Sequence, residues 1–284
     1  MTQEKQRTAL VIYHSNTGNT ATLAKEAAAT LEDMGWAVNQ TPLEKAPRIF
    51  PGGNPDLLLM GTPIHFWQVP VPAMEMIRNL PNFPGAGAFV FLTYGTVFDG
   101  NAPYQLAVEV EKKGAKVLGG ASVLSPHNFK MTPDQRLGDL YDDFGKGQPD
   151  AQVLADFRAA VRAAASKVES GVQDFDIKDL RSPKPVITFL DGLMPVSMQK
   201  KALPKVMWVE ESCKDCGMCV ENCTTGSISS VNGKITTNHD TCYRCYQCLW
   251  MCKFQARTVN LSAMAGVLRG LKKVVKNPGT RIMV

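Results

Sequence analysis

All eight cysteines of this 284-residue chain fall between Cys213 and Cys252, in two runs of one form. The first is Cys213-x-x-Cys216-x-x-Cys219-x-x-x-Cys223 and the second is Cys242-x-x-Cys245-x-x-Cys248-x-x-x-Cys252. No other feature limits the fold of a stretch this strongly, because each run has to bend its first three thiols round a common centre. Three cysteines at x-x spacing suit three corners of an iron–sulfur cubane. The fourth, a helical turn further on, points away toward a second cluster. The spacing therefore predicts two [4Fe–4S] clusters, one on Cys213, Cys216, Cys219 and Cys252 and the other on Cys242, Cys245, Cys248 and Cys223. Paired Cys-x-x-Cys sets also serve zinc, but two copies of the full three-plus-one spacing favour clusters. Electron transfer is the expected work.

A disulfide framework is not expected, because such frameworks belong to small secreted chains behind a signal peptide. Here the N-terminus, MTQEKQRTALVIYHS, leads through polar residues into a short apolar run that reads as a strand. No stretch has the length of a transmembrane helix. The expected location is cytoplasmic, with the cysteines held by metal. The formal charge of +5 is unevenly placed, and residues 261–284 hold five basic and no acidic side chains. That basicity reads as a solvated face, with docking to acidic partners as the alternative.

Upstream of the cysteines the pattern changes. TALVIY (8–13), DLLLM (56–60), AFVFLTY (88–94) and KVLGGASVL (116–124) read as buried parallel strands, and WAVNQT (36–41) as an edge strand. Between them 18–34, 70–80, 102–113 and 150–169 carry helical spacing, such as Leu23, Ala27 and Leu31. Such alternation predicts an α/β doubly wound five-stranded parallel sheet in the order 2-1-3-4-5. The domain boundaries that follow are 1–170 for this sheet, 171–205 for a proline-punctuated connecting arm, 206–260 for a small α+β cysteine domain, and 261–284 for a basic amphipathic helix and tail. Docking of that helix on the body is expected, with membrane-surface contact as the alternative.

Strand one runs into Ser15-Asn16-Thr17-Gly18-Asn19-Thr20, which opens a helix. Hydroxyls and free backbone N–H groups at a helix N-terminus make a phosphate cradle, and Gly18 permits the tight turn. The loop is neither a Rossmann fingerprint nor a P-loop. Strand three ends in Thr62-Pro63-Ile64-His65-Phe66-Trp67 and strand four in Thr93-Tyr94-Gly95. Both lie at the carboxyl edge, where open α/β sheets bind ligands. A long loop over 125–149, with His127, reads as a lid or a partner site. His239 reads as structural, and no catalytic triad or carboxylate pair is evident.

The first loop resembles the Ser/Thr-x-Thr-Gly-x-Thr loop of flavodoxins, and the cysteine runs resemble those of bacterial two-cluster ferredoxins. Thr224 and Lys253 stand where those runs usually carry proline. Taken whole, the chain resembles the flavodoxin–ferredoxin fusion flavoproteins over about 1–170 and 206–260. The resemblance implies FMN, with its phosphate on Ser15–Thr20 and its ring between Thr62–Trp67 and Thr93–Gly95. His65, Phe66, Trp67 and Tyr94 are then the ring neighbours. It further implies a relay between FMN and two [4Fe–4S] clusters, and a redox protein as partner. The alternatives are direct reduction of a small substrate at the flavin with the clusters as feed, or a flavodoxin-like part that only docks. No nucleic-acid partner is expected, and a homodimer is compatible with the sequence.

Overall fold

The computed structural model describes residues 6–46, 54–95, 98–127, 145–183, 189, 200–201, 203–260 and 279–284. The five apolar runs form β1 (Thr8–Tyr13), β2 (Ala37–Pro42), β3 (Leu57–Pro63), β4 (Gly87–Tyr94) and β5 (Lys116–Leu124). They pair in parallel in the order β5-β4-β3-β1-β2, as expected for a flavodoxin-like sheet. Side chains alternate across the strands. Leu10, Ile12, Leu58, Met60, Val90 and Leu92 pack on α2 (Val71–Arg78) and α3 (Ala102–Lys112). Val11, Leu57, Leu59, Phe89 and Phe91 pack on α1 (Asn19–Asp33) and α4 (Ala151–Ser170) on the opposite face. The start and stop of α4 are local. The Asp150 carboxylate accepts from Val153 N–H at 2.9 Å, and Gly171 ends the helix at φ 70°.

A sixth strand was not legible in the sequence. The chain's C-terminus, β10 (Arg281–Met283, numbered after the elements below), adds antiparallel to the β5 edge. The glycine pair in KVLGGASVL makes this possible. A Cβ on Gly119 would lie 2.8 Å from Val284, and one on Gly120 would lie 2.8 Å from Leu180 in a short 3-10 helix, Ile177–Leu180. Arg281 donates to the buried carboxylate of Asp99 at 2.6 Å, and the Tyr94 hydroxyl donates to Gly279 O at 2.6 Å. The tail therefore closes an open sheet edge and ties down the segment that follows β4.

Residues 206–260 form an α+β segment of short pieces. β6 (Val206–Trp208) pairs with β9 (Arg257–Val259), and β7 (Ile228–Val231) with β8 (Lys234–Thr237). Each cysteine run leads into a one-turn helix, α5 (Met218–Glu221) and α6 (Gln247–Met251). The likeness of the two cysteine runs extends to the backbone. Left-handed residues occupy matching places, Asp215 (φ 44°) and Gly217 (φ 74°) in the first copy, Arg244 (φ 63°) and Tyr246 (φ 59°) in the second. The description of this segment as a two-cluster ferredoxin-like domain is corrected below.

The loop expected over 125–149 falls largely on 128–144, outside the described residues. So do the helix expected over 261–276 and, within the arm 171–205, residues 184–188, 190–199 and 202. No helix among the described residues is long and apolar enough to cross a membrane.

Candidate functional site

The carboxyl ends of β1, β3 and β4 place the three predicted loops side by side. His14 N–H donates to Gly61 O at 2.9 Å, and Ile64 N–H to Thr93 O at 2.8 Å, so each loop leaves its strand in contact with the next. In the first loop Gly18, which has no side chain to cap with, opens α1 in the left-handed region (φ 96°). Ser15 Oγ instead accepts from Gly18 N–H and Ala21 N–H, both at 3.2 Å. Ala21 N–H is thus taken by Ser15 and Thr22 N–H by Gly18 O, which leaves the N–H groups of Asn19 and Thr20 to open α1.

Not every predicted cradle hydroxyl points into the cradle. Thr20 is buried and shares a 2.9 Å hydrogen bond with Thr93, which ties α1 to β4. Asn19 donates to Pro126 O at 2.8 Å, which ties the loop to the segment after β5. Ser15 and Thr17 remain partly exposed at the loop. Asn16 is buried, and its Nδ2 donates to Gln247 at 3.1 Å. Its Oδ1 and the buried Thr62 Oγ1 have no hydrogen-bond partner among the described residues.

The second loop is a tight turn. His65 and Gln68 exchange backbone hydrogen bonds at 3.0 and 3.1 Å, and between them Phe66 (φ 52°) and Trp67 (φ 56°) both lie in the left-handed region. This conformation normally calls for Gly or Asn. Two aromatic residues held there store strain of about 1–3 kcal/mol each, and such strain gathers at functional sites. Gly100 lets the turn seat, since a Cβ there would lie 2.3 Å from Trp67 O. The Trp67 ring stacks on Phe98 at 5.4 Å, and Ile64 packs on the core. Pro63 ends β3 opposite Thr93. In the third loop a Cβ on Gly95 would lie 2.6 Å from His127 Cα, so that close approach requires glycine. Tyr94 is buried and directs its hydroxyl to Gly279, away from the other predicted ring neighbours.

Histidines gather at this edge. Burial, with the charges of His14 and His127 behind it, pushes His65 down to about 3. Burial alone pushes His127 down to about 3. Both imidazoles are neutral at pH 7. His14 Nδ1 lies 2.6 Å from Glu44 Oε1. Burial works to raise the Glu44 carboxyl, but the hydrogen bond and charge of His14 outweigh it and hold the carboxyl below its ordinary value. Sequence reasoning missed Glu44, and it missed two residues of the cysteine segment, Tyr243 and Gln247. The Tyr243 ring stacks on His65 at 5.7 Å and meets the Phe66 ring edge-on at 6.0 Å. None of these contacts has a signal in local sequence.

The cysteines call for a correction. Zinc binds thiolate sulfur at about 2.3 Å, so the ligands of one such ion must gather round it. Among the described residues, no group of three or more His, Cys, Asp or Glu is arranged so that it could hold a metal ion. The cysteines line two hollows. Cys219, Cys223, Cys242, Cys245 and Cys248 border the one beside Asn16, and Cys213, Cys216, Cys219 and Cys252 border the other. All eight are free of disulfides. Burial pushes the Cys245 thiol up to about 12 and the Cys248 thiol up to about 11. On the absence of a metal-ion site, the two-cluster expectation is corrected, both for Cys213, Cys216, Cys219 and Cys252 and for Cys242, Cys245, Cys248 and Cys223. The correction extends to the ferredoxin-like domain, the flavin–cluster relay, and the likeness to fusion flavoproteins beyond the flavodoxin-like part.

The sheet order and the loops at its carboxyl edge define a flavodoxin-like α/β fold. No protein-family profile matches the chain, and no curated protein matches it. Among solved structures, a flavodoxin from the domain Archaea is similar at 17% identity and TM-score 0.39, over 57% of this chain and 99% of that one. Rubredoxin oxygen:oxidoreductase from Desulfovibrio gigas is similar at 13% identity and TM-score 0.42, over 59% of this chain and 37% of that one. Flavodoxin 1 from Bacillus cereus is similar at 14% identity and TM-score 0.39, over 56% of this chain and 97% of that one.

Proposed function

We propose that the chain binds FMN at the carboxyl edge of its sheet and works as a flavodoxin-like electron carrier with a redox protein as partner. The observation that carries this reading is the N-terminus of α1, opened by Gly18 at the end of β1 and tied to β4 through the Thr20–Thr93 hydrogen bond. The residues present fit the group. Buried Asn16 Oδ1 and Thr62 Oγ1 lack partners among the described residues and lie at this edge, and a buried polar group without a partner is costly.

Bound FMN supplies the exchange of one or two electrons. The chain's own residues supply the rest. Ser15, Thr17 and the N–H groups opening α1 hold the phosphate. Thr62 offers its hydroxyl to the ring edge, and Gly95 keeps the third loop close. Phe66 and Trp67 wall the site against water, and neutral His65 adds no charge beside the ring.

A second reading, direct reduction of a small substrate at the flavin, is favoured by the cover that Tyr243 places over His65 and Phe66. One experiment separates the two. Flavin-loaded protein is reduced with dithionite, freed of excess reductant, and mixed with oxidised cytochrome c under argon. A carrier passes its electrons to the cytochrome without added substrate. Loaded protein that stays reduced beside the cytochrome would contradict the carrier reading.

A further inference from the structure

The two cysteine runs share only their cysteines, and only the second run touches the sheet edge. Tyr243 follows Cys242, and Gln247 precedes Cys248. The matching places in the first copy, after Cys213 and before Cys219, hold Lys214 and Met218. Those two line the hollow away from the sheet, and Met218 is 41% exposed. In the second copy both places are turned onto the site. Gln247 accepts from Asn16 at 3.1 Å. Tyr243 is buried against His65 and Phe66. Every place between the cysteines differs between the two copies, and in the second copy Tyr243 and Gln247 are the two of these that meet the aromatic turn and the phosphate loop.

We infer that Tyr243 and Gln247 are positioning residues of the flavin site, supplied by the cysteine segment to two different parts of it. The inference rests on the FMN reading. Gln247 engages one amide atom of Asn16 and so fixes where the other, buried and without a partner among the described residues, is aimed. With both amides assigned the other way round, Gln247 Nε2 donates to Asn16 Oδ1 and Asn16 Nδ2 is the free donor for a phosphate oxygen. Tyr243 acts on the ring side. Its ring stacks on His65 and stands perpendicular to the Phe66 ring, and so sets both side chains. A flavin without its phosphate therefore distinguishes the two roles.

The test is titration of the full-length flavin-free chain with FMN and with riboflavin, followed by protein and flavin fluorescence. Gln247→Leu is expected to weaken FMN about tenfold, the worth of one charge-assisted hydrogen bond, and to leave riboflavin unchanged. Tyr243→Ala is expected to weaken both flavins several-fold and to change the visible circular dichroism of bound flavin. Met218→Leu, at the matching place of the first copy, is expected to behave as wild type. Should Tyr243→Ala fail to fold, Tyr243→Leu fills the space without an aromatic face. A Gln247→Leu variant that loses both flavins equally, or neither, would overturn its role. Unchanged affinity and dichroism in the Tyr243 variant would overturn the other. If the wild-type chain binds no flavin, the FMN reading fails and the inference with it. Wild-type binding with unaffected variants sinks the inference alone.

Discussion

The sheet region and the cysteine segment of this chain are held by different means. The sheet carries two continuous apolar layers, with Ile12, Leu57, Leu58, Leu59, Phe89 and Phe91 fully buried. The segment 206–260 buries few large apolar side chains, among them Ile228, Ile235, Tyr246 and Leu249, and its strands have three or four residues. A unit of that size rarely stands on its core alone. Its anchors are polar and reach outward. Arg244 donates to Leu203 O at 3.3 Å, the Tyr246 hydroxyl donates to Pro204 O at 2.9 Å, and Gln247 accepts from Asn16 at 3.1 Å. The difference teaches that the sheet fixes the fold, while the segment depends on what it docks against and sits over the sheet's ligand edge.

The comparison breaks first in the core. Phe157 is fully buried and meets Phe89 and Phe91 edge-on. Phe157→Ala is expected to cost about 4 kcal/mol in denaturant unfolding of the sheet. Next comes the tail. Arg281→Ala leaves Asp99, 1% exposed, without its charge partner and is expected to cost about 3 kcal/mol. Hydrogen exchange should then rise in β5, against which the tail pairs. A smaller effect sharpens the picture through pH. Burial works against the charge on Asp56, but Thr8 N–H at 2.8 Å, the Thr8 hydroxyl at 3.0 Å and Arg7 hold the carboxyl below its ordinary value of 3.8. Its folded pKa is thus lower than the unfolded one. The stability it contributes is present above the ordinary value and is lost as pH falls through the folded value. Asp56→Asn should cost about 1.5 kcal/mol at neutral pH, and the gap to wild type should close in acid. The smallest effect belongs to the segment. Ser229 and Thr236 share an exposed hydroxyl pair at 2.7 Å, and Ser229→Ala should stay within about 0.5 kcal/mol.

Much of the sheet was legible because its signals are local. The apolar runs became strands with small shifts, as at 88–94 against Gly87–Tyr94, and the 2-1-3-4-5 order followed from alternation with helices. The tail strand was not legible, since Arg281–Met283 is three residues long and gains its identity only from the bare β5 edge and from Asp99. At the site, the sequence marked the three loops but not how their side chains are spent. Thr20 reads as a phosphate donor and is in fact bound to Thr93, and Tyr94 reads as a ring neighbour and turns to Gly279. Such partnerships span many residues and leave no periodic trace. The cysteine spacing, the firmest pattern in the chain, is where the structure departs most from expectation, because no metal-ion site forms among the described residues. Iron and acid-labile sulfide analysis of protein purified without oxygen checks that correction, and about eight irons per chain, the content of two four-iron clusters, would reverse it.

The claim that the edge of the sheet is an FMN site is tested by one titration, of the flavin-free wild-type chain with FMN and with riboflavin. Stoichiometric FMN binding, at least about tenfold tighter than riboflavin because only FMN brings a phosphate to the N-terminus of α1, is the predicted result. Equal affinity for the two flavins, or binding of neither, would contradict it.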